Sequence, residues 1–178
     1  MSENFLRALR IVLAHEGGYD CNPADPGNWT GGRVGVGLCR GTNFGLSAAA
    51  YPDLDIAGLS EDEAAAVYRR DYWQRVEGDR LPAALAVLVF DAAVNNGVGR
   101  AVRWLQSALG VRADGVIGPR TLAAIEHSAI ADLRHVCAEF QTHRLIFMAA
   151  LPSWSLFGGG WARRLCELPF ESMTLSEV

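Results

Sequence analysis

The sequence predicts a mainly α fold with one small β-hairpin, on three observations. An amphipathic helix opens the chain, and a Gly- and Pro-rich stretch over 19–45 cannot continue it. Helix-forming sequence with its own start and stop signals then fills the remainder. In the first helix, 3–15, Phe5, Leu9, Val12 and Leu13 recur at the helical period, with Leu6 at the edge of the apolar face. Gly17-Gly18 is expected to stop it by adopting the left-handed conformation, leaving Glu16 at a helix C-terminus. The next segment holds Pro23, Pro26 and seven glycines from Gly27 to Gly45. Residues 33–38 alternate with glycine and are expected to pair with 42–46 as a short hairpin. A Gly-rich stretch of this length inside a folded chain reads as a functional loop.

Ser60-Glu61-Asp62-Glu63 is a capping box and starts a helix through about residue 74. Pro82, at a first helical position, opens a helix over 81–95 that is apolar on nearly all sides, the pattern of a buried central helix. Two short helices, 100–109 and 121–126, flank a turn-rich link, and a longer one over 130–150 is ended by Pro152. The run Gly158-Gly159-Gly160 is expected to precede a last short helix, 161–167. No repeat or low-complexity tract is present, and the polar tail after Phe170 is the single candidate for disorder.

Composition narrows the function. With 178 residues, 50% hydrophobic and 20% charged, the chain suits one soluble domain or two small lobes sharing a core. A chain of this size buries roughly two-thirds of its unfolded surface and needs no metal or disulfide to fold. Sixteen basic residues against 20 acidic ones, net −4, argue against nucleic-acid binding. Every basic residue is Arg, which excludes Schiff-base lysines, Ser–Lys dyads and the phosphate-binding Walker lysine. Cys21, Cys39, Cys137 and Cys166 form no C-x-x-C pair and no zinc-like spacing, and they allow three disulfide pairings that sequence does not distinguish. His127, His135 and His143 recur every eight residues, a spacing that suits neither a metal site nor a triad. The N-terminus does not read as a secretory signal, and the longest apolar run, 81–94, is too short to span a bilayer and carries Asp91. Cytoplasmic synthesis with reduced cysteines and no stable membrane insertion is the expectation.

Two carboxylates stand out. Glu16, facing the negative end of the helix dipole, is expected to favour its protonated form and so to suit a general acid. A solvated Glu in a last helical turn is the plainer reading from position alone. Asp25, nine residues on in Asn22-Pro23-Ala24-Asp25-Pro26-Gly27, sits in a loop stiffened by two prolines, where a turn-forming Asp is the plainer reading. Two carboxylates flanking a hairpin are the minimum equipment for glycoside hydrolysis, although spacing alone is a weak signal.

His15-Glu16-Gly17-Gly18-Tyr19, the Asn22-to-Gly27 loop and Gly41-Thr42-Asn43-Phe44-Gly45-Leu46 together resemble glycoside hydrolase family 108. These are lysozyme-like N-acetylmuramidases of phages, prophages and bacterial secretion-related loci. The likeness continues through 68–73, Phe90-Asp91-Ala92-Ala93-Val94-Asn95-Asn96-Gly97 and the 105–110 and 114–121 blocks, the last two resembling a predicted peptidoglycan-binding half. It reaches about Leu168. It implies a lysozyme-like (α+β) fold, with a catalytic lobe over 1–94 and a helical peptidoglycan-binding-like lobe over 95–178, packed as one globule. It also implies Glu16 as catalytic acid, with Asp25 and Thr42 following in the Glu, Asp, Thr order of phage-type lysozymes. This chain departs from the family in a hairpin lengthened over 28–40 and in Phe44, where tyrosine is usual.

Other candidates are weighed against plainer roles. Asp91, a lone charge in an apolar helix, reads as a paired structural anchor about twice as readily as a catalytic base. Tyr19 and Trp29 offer flat faces to pyranose rings, as does Trp73, although most aromatics at this density are core. Asn43, Asn95 and Asn96 are candidates to bind sugar groups, with helix-end capping an equal reading for the last two. His15 is more simply a helix-terminal cation than a proton partner for Glu16. The expected activity is therefore an endolysin-like peptidoglycan hydrolase that cleaves MurNAc–GlcNAc β-1,4 bonds without metal or organic cofactor. It would act on the cell wall in the periplasm, reached through an exporter or holin. The alternative is a non-catalytic wall-binding or assembly protein on the same fold.

Overall fold

A computed structural model describes residues 1–14, 17–128 and 130–173. The described residues form seven α-helices and one two-stranded antiparallel sheet, a lysozyme-like, mainly α architecture. The chain divides into two units, Leu9–Arg69 and a helical unit of Met1–Ala8 with Arg70–Val178.

In the helical unit, α1 (Glu3–Leu13) contributes Phe5 and Ala8 to the core. Phe5, Trp73 and Phe90 meet edge to face, with centroids 5.4–6.1 Å apart, an arrangement that favours ring edges against ring faces. Gly78 is required beneath this cluster, since a Cβ there would lie 2.4 Å from the Trp73 indole. Pro82 forms the N-cap of α3 (Ala83–Asn96), one position before the helical place its sequence suggested. Leu85 through Ala93 are all buried, as an all-round apolar helix requires, and α3 packs against α4 (Val98–Ala108), α6 (Ile130–Ala149) and α7 (Trp154–Met173).

Asp91 is the one charge on the buried face of α3, and it is neutralised from two helices. Arg144 Nη1 of α6 lies 2.7 Å from Asp91 Oδ2, and Arg164 of α7 donates to Oδ1 through Nε at 3.0 Å and through Nη2. Burial draws the Arg144 guanidinium below its ordinary pKa, and the Asp91 charge opposes that shift. The same arginine donates Nε to Asn96 Oδ1 at 2.8 Å, so α6 also holds the end of α3.

Between α4 and α5 (Pro119–Glu126), the link is built around the buried Gln106. Its Nε2 reaches Asp114 Oδ1, the Val116 carbonyl and Thr121 Oγ1 at 2.8–3.2 Å, and its Oε1 accepts from the Gly115 amide at 2.8 Å. The Gln106 bond, then the Val116 amide, holds the Asp114 carboxyl below the usual carboxylate range. A depressed carboxyl adds stability above its unfolded pKa and loses it as pH falls through the folded value. Asp114→Ala is therefore expected to lower the urea midpoint at pH 7 and to narrow its gap from wild type on acidification below about pH 4. An unchanged gap would contradict this account of the loop.

The last helix differs from expectation. Gly158-Gly159-Gly160 does not break it: α7 runs continuously through the glycines and through Pro169. A Cβ at the buried Gly158 would lie 2.6 Å from the Trp154 indole, so the missing side chain lets the ring lie across the next turn. Contacts with α3 and α6 outweigh the roughly 1 kcal/mol helix penalty of each glycine. The helix reaches Met173, so the start of the tail is ordered structure, and residues 174–178 lie outside those described.

In the Leu9–Arg69 unit, Leu9 and Val12 of α1 are buried with Leu46, Ala48, Ile56 and Leu59. The hairpin is β1 (Thr42–Asn43) against β2 (Leu46–Ser47), with Thr42 opposite Ser47. Phe44 (φ 50°) and Gly45 (φ 74°) turn it with two left-handed residues, the tight turn whose twist matches the strands. Residues 33–38 therefore do not pair with 42–46. They return on their own base instead, with Gly31 N donating to Val36 O, Thr30 N to Leu38 O, and Trp29 bridging Cys39. The capping box at Ser60 forms in both directions and starts α2 (Glu61–Tyr68). Tyr68 donates its hydroxyl to the Phe44 carbonyl at 2.8 Å, tying α2 to the hairpin turn. Beyond α2 the expected single helix changes pitch, becoming a π turn over Arg69–Trp73 and a 3-10 turn over Gln74–Val76.

Candidate active site

Glu16 and His15 lie outside the described residues. Helix α1 ends at Leu13, with Ala14 N still bonded to Arg10 O, and Gly18 does not take the left-handed conformation expected of a helix stop. From Tyr19 onward the surroundings are defined. Asp20 and Thr42 exchange backbone hydrogen bonds of 2.8 and 2.9 Å in an antiparallel bridge that extends the hairpin by one strand-like segment. Gly41 (φ 87°) allows this close approach, because a Cβ there would lie 2.5 Å from Asp20 O and 2.7 Å from the Tyr19 ring.

The hub of the segment is Asn28, fully buried in a polar loop. Its Nδ2 donates to the Asn22 carbonyl at 3.0 Å and to Asp20 Oδ2 at 3.3 Å, and its Oδ1 accepts the Thr42 hydroxyl at 2.7 Å. Its main-chain carbonyl accepts from Arg40 N and Gly41 N. A buried amide with donors and acceptors matched in this way fixes its partners, because leaving any of them unpaired is costly. The Thr42 hydroxyl proton is thereby committed to Asn28, which leaves its oxygen as an acceptor.

Asp25 is exposed and caps the 3-10 turn Pro26–Asn28, its Oδ1 accepting from Gly27 N at 2.8 Å. Trp29 is half-buried and donates its indole N–H to the Pro23 carbonyl at 2.9 Å, so the ring is fastened to the Asp25 loop. Asn43 is buried, its amide donating to the Ile56 carbonyl at 3.2 Å. Tyr19 is half-exposed, and its hydrogen bond with the Cys21 thiol, followed by burial, keeps the phenol above its ordinary pKa. With Cys39, Arg40, Asp53, Asp55 and Ala57 it lines an open cavity of about 360 Å³.

Asn95 and Asn96 belong to the helical unit. The Asn95 amide donates to the Asp91 carbonyl at 2.8 Å, and Asn96 carries Arg144 and Arg100 on its oxygens. Asp91 is held in the ion network described above, the anchoring role weighed for it in sequence. The structure thus brings together Tyr19, Asp25, Trp29 and Thr42 with two residues that sequence reasoning missed, Asp20 and Asn28. Nothing in a Pro- and Gly-rich loop marks one Asn as buried; the only signal is its position between the two motifs it joins.

Comparison with known proteins agrees along nearly the whole chain. Residues 9–97 match a family described as Glycosyl hydrolase 108, and residues 100–166 match one described as Predicted Peptidoglycan domain. No curated protein matches the chain. Ten chains of solved structures match, among them the structure of Brucella abortus SagA. That chain is 33% identical with a TM-score of 0.79, the likeness covering 98% of this chain and 96% of SagA.

Proposed function

Because the chain belongs to the glycosyl hydrolase 108 family and carries a predicted peptidoglycan domain, we propose that it is an N-acetylmuramidase cleaving the MurNAc–GlcNAc β-1,4 bond. Glu16 donates its proton to the glycosidic oxygen as the bond to the anomeric carbon breaks. The positive charge that develops on the sugar needs a carboxylate nearby or a positioned water, and Asp25 supplies that role. The observation that carries the reading is the oriented hydroxyl of Thr42. With its O–H donated to Asn28 Oδ1 at 2.7 Å, its oxygen is left to accept a hydrogen bond from water and so to hold a nucleophile in place. Tyr19 offers its half-exposed ring to a pyranose face.

No described helix is long and apolar enough to cross a membrane. Access to the wall is assigned to an exporter or holin in an endolysin-like setting. Clearing of purified peptidoglycan suspensions tests the function. Protein that sediments with the wall but leaves its turbidity unchanged would instead be a binding protein on the same fold.

Two carboxylates compete for the second role, and substitution separates them. Asn preserves the shape of Asp25 and can still cap Gly27, so Asp25→Asn removes charge without opening the turn. A loss of about 10²–10⁴-fold in turnover is expected from removing such a group. Unchanged turnover in Asp25→Asn, with a loss of that size in Asp20→Asn, would transfer the role to Asp20.

A further inference from the structure

Two sulfurs stand together apart from the residues proposed for hydrolysis. Cys21 Sγ and Cys39 Sγ lie 3.2 Å apart, both as free thiols, and Cys21 also points its thiol at the Cys39 carbonyl. Their backbones are pinned independently. Cys21 follows Asp20 in the bridge to Thr42, and Cys39 is bridged to Trp29. The two thiols therefore close the neck of the loop between them, from which Asp25, Asn28 and Trp29 arise.

We propose that Cys21 and Cys39 are an oxidation site, forming an intramolecular disulfide that braces this loop once the protein meets a disulfide oxidant. The sulfurs must approach to about 2.05 Å, a movement within the reach of side-chain rotation. The thiolate of one cysteine attacks a low-molecular-weight disulfide such as oxidised glutathione and releases one glutathione thiolate. The second cysteine gives up its proton, attacks the protein sulfur of that mixed disulfide and releases the second glutathione. Two protein thiols are oxidised and one glutathione disulfide is reduced to two thiols.

The other two cysteines are poorer candidates. Burial pushes the Cys137 thiol up to about 11, which suppresses its reactive thiolate, and Cys166, exposed on α7, meets no second thiol among the described residues. Hydrogen bonding with Cys21 holds the Cys39 proton above its ordinary pKa, so closure should quicken as pH rises. The inference does not depend on the hydrolase reading. That reading only supplies a compartment outside the reducing cytosol, where such bonds persist.

Trypsin provides a direct test, because the four cysteines fall in four different tryptic peptides: 11–33, 34–40, 135–144 and 165–178. Folded full-length protein is incubated with excess oxidised glutathione, alkylated and digested without reductant. The expected product is 11–33 joined to 34–40, with 135–144 recovered as the alkylated thiol. Recovery of 11–33 and 34–40 separately, as free thiols or glutathione adducts, would overturn the proposal, as would linkage of either to another peptide.

The brace has its own readout. Closing a loop of this size should raise the unfolding midpoint of oxidised over reduced protein by roughly 5 °C or more. Cys21→Ser should show no such response. A linked protein whose midpoint does not rise would refute the bracing role. Wall clearing is measured separately, so an inactive but correctly linked protein would count against the hydrolase reading alone.

Discussion

Glu16→Gln is expected to abolish measurable peptidoglycan hydrolysis while leaving a folded protein that still binds the wall. A sugar alkoxide is a poor leaving group, and its departure without a proton is very slow. Gln keeps the size and polarity of Glu but has no acidic proton, so the loss should lie at or beyond the upper end of the ~10²–10⁴-fold range for a general acid. The wild-type pH profile should fall on its alkaline side as this acid ionises. Circular dichroism and co-sedimentation with sacculi establish folding and binding in the variant. A well-folded Glu16→Gln protein clearing walls near the wild-type rate would remove Glu16 from the mechanism.

Asp91→Ala should have the largest effect on stability, and it should act through the core. The substitution strips the partner from Arg144, which is 1% exposed in its side chain, and from Arg164 beside it. Removing one member of a buried ion pair typically costs about 3–5 kcal/mol, because the remaining charge stays buried without compensation. That is a large share of the 5–15 kcal/mol by which domains are stable, so the variant should unfold at far lower urea or fail to accumulate. Asp91→Asn, which retains an acceptor for the Arg164 nitrogens, should be less severe. A urea midpoint unchanged in Asp91→Ala would mean that the network contributes no stability.

Asp91 marks what was legible in the sequence. The core face of α1, the capping box at Ser60 and the buried helix containing Asp91 follow from local patterns that need no knowledge of neighbours. The hairpin register was hidden, because a bulky Phe44 occupies a left-handed turn position that sequence reasoning reserves for Gly or Asn. Helix α7 was hidden for a related reason. Its glycines read as a break, but Gly158 serves close packing against Trp154, and tertiary contacts override propensity there. In the candidate site, Asp25 and Thr42 could be named from motifs, whereas Asn28 could not. Its burial depends on the Trp29–Cys39 closure and on the Asp20–Thr42 bridge, pairings between segments that carry no mutual signal in sequence.

If the protein cuts the glycosidic bond at the muramic acid carbon, every cut leaves a new reducing end on that sugar. Purified peptidoglycan is digested with the wild-type protein, reduced with borohydride and analysed by mass spectrometry. New reducing ends on N-acetylmuramic acid are expected, recovered as the muramitol derivative, and none from Glu16→Gln. New ends on N-acetylglucosamine, or no new reducing ends from folded wild-type protein bound to the wall, would contradict it.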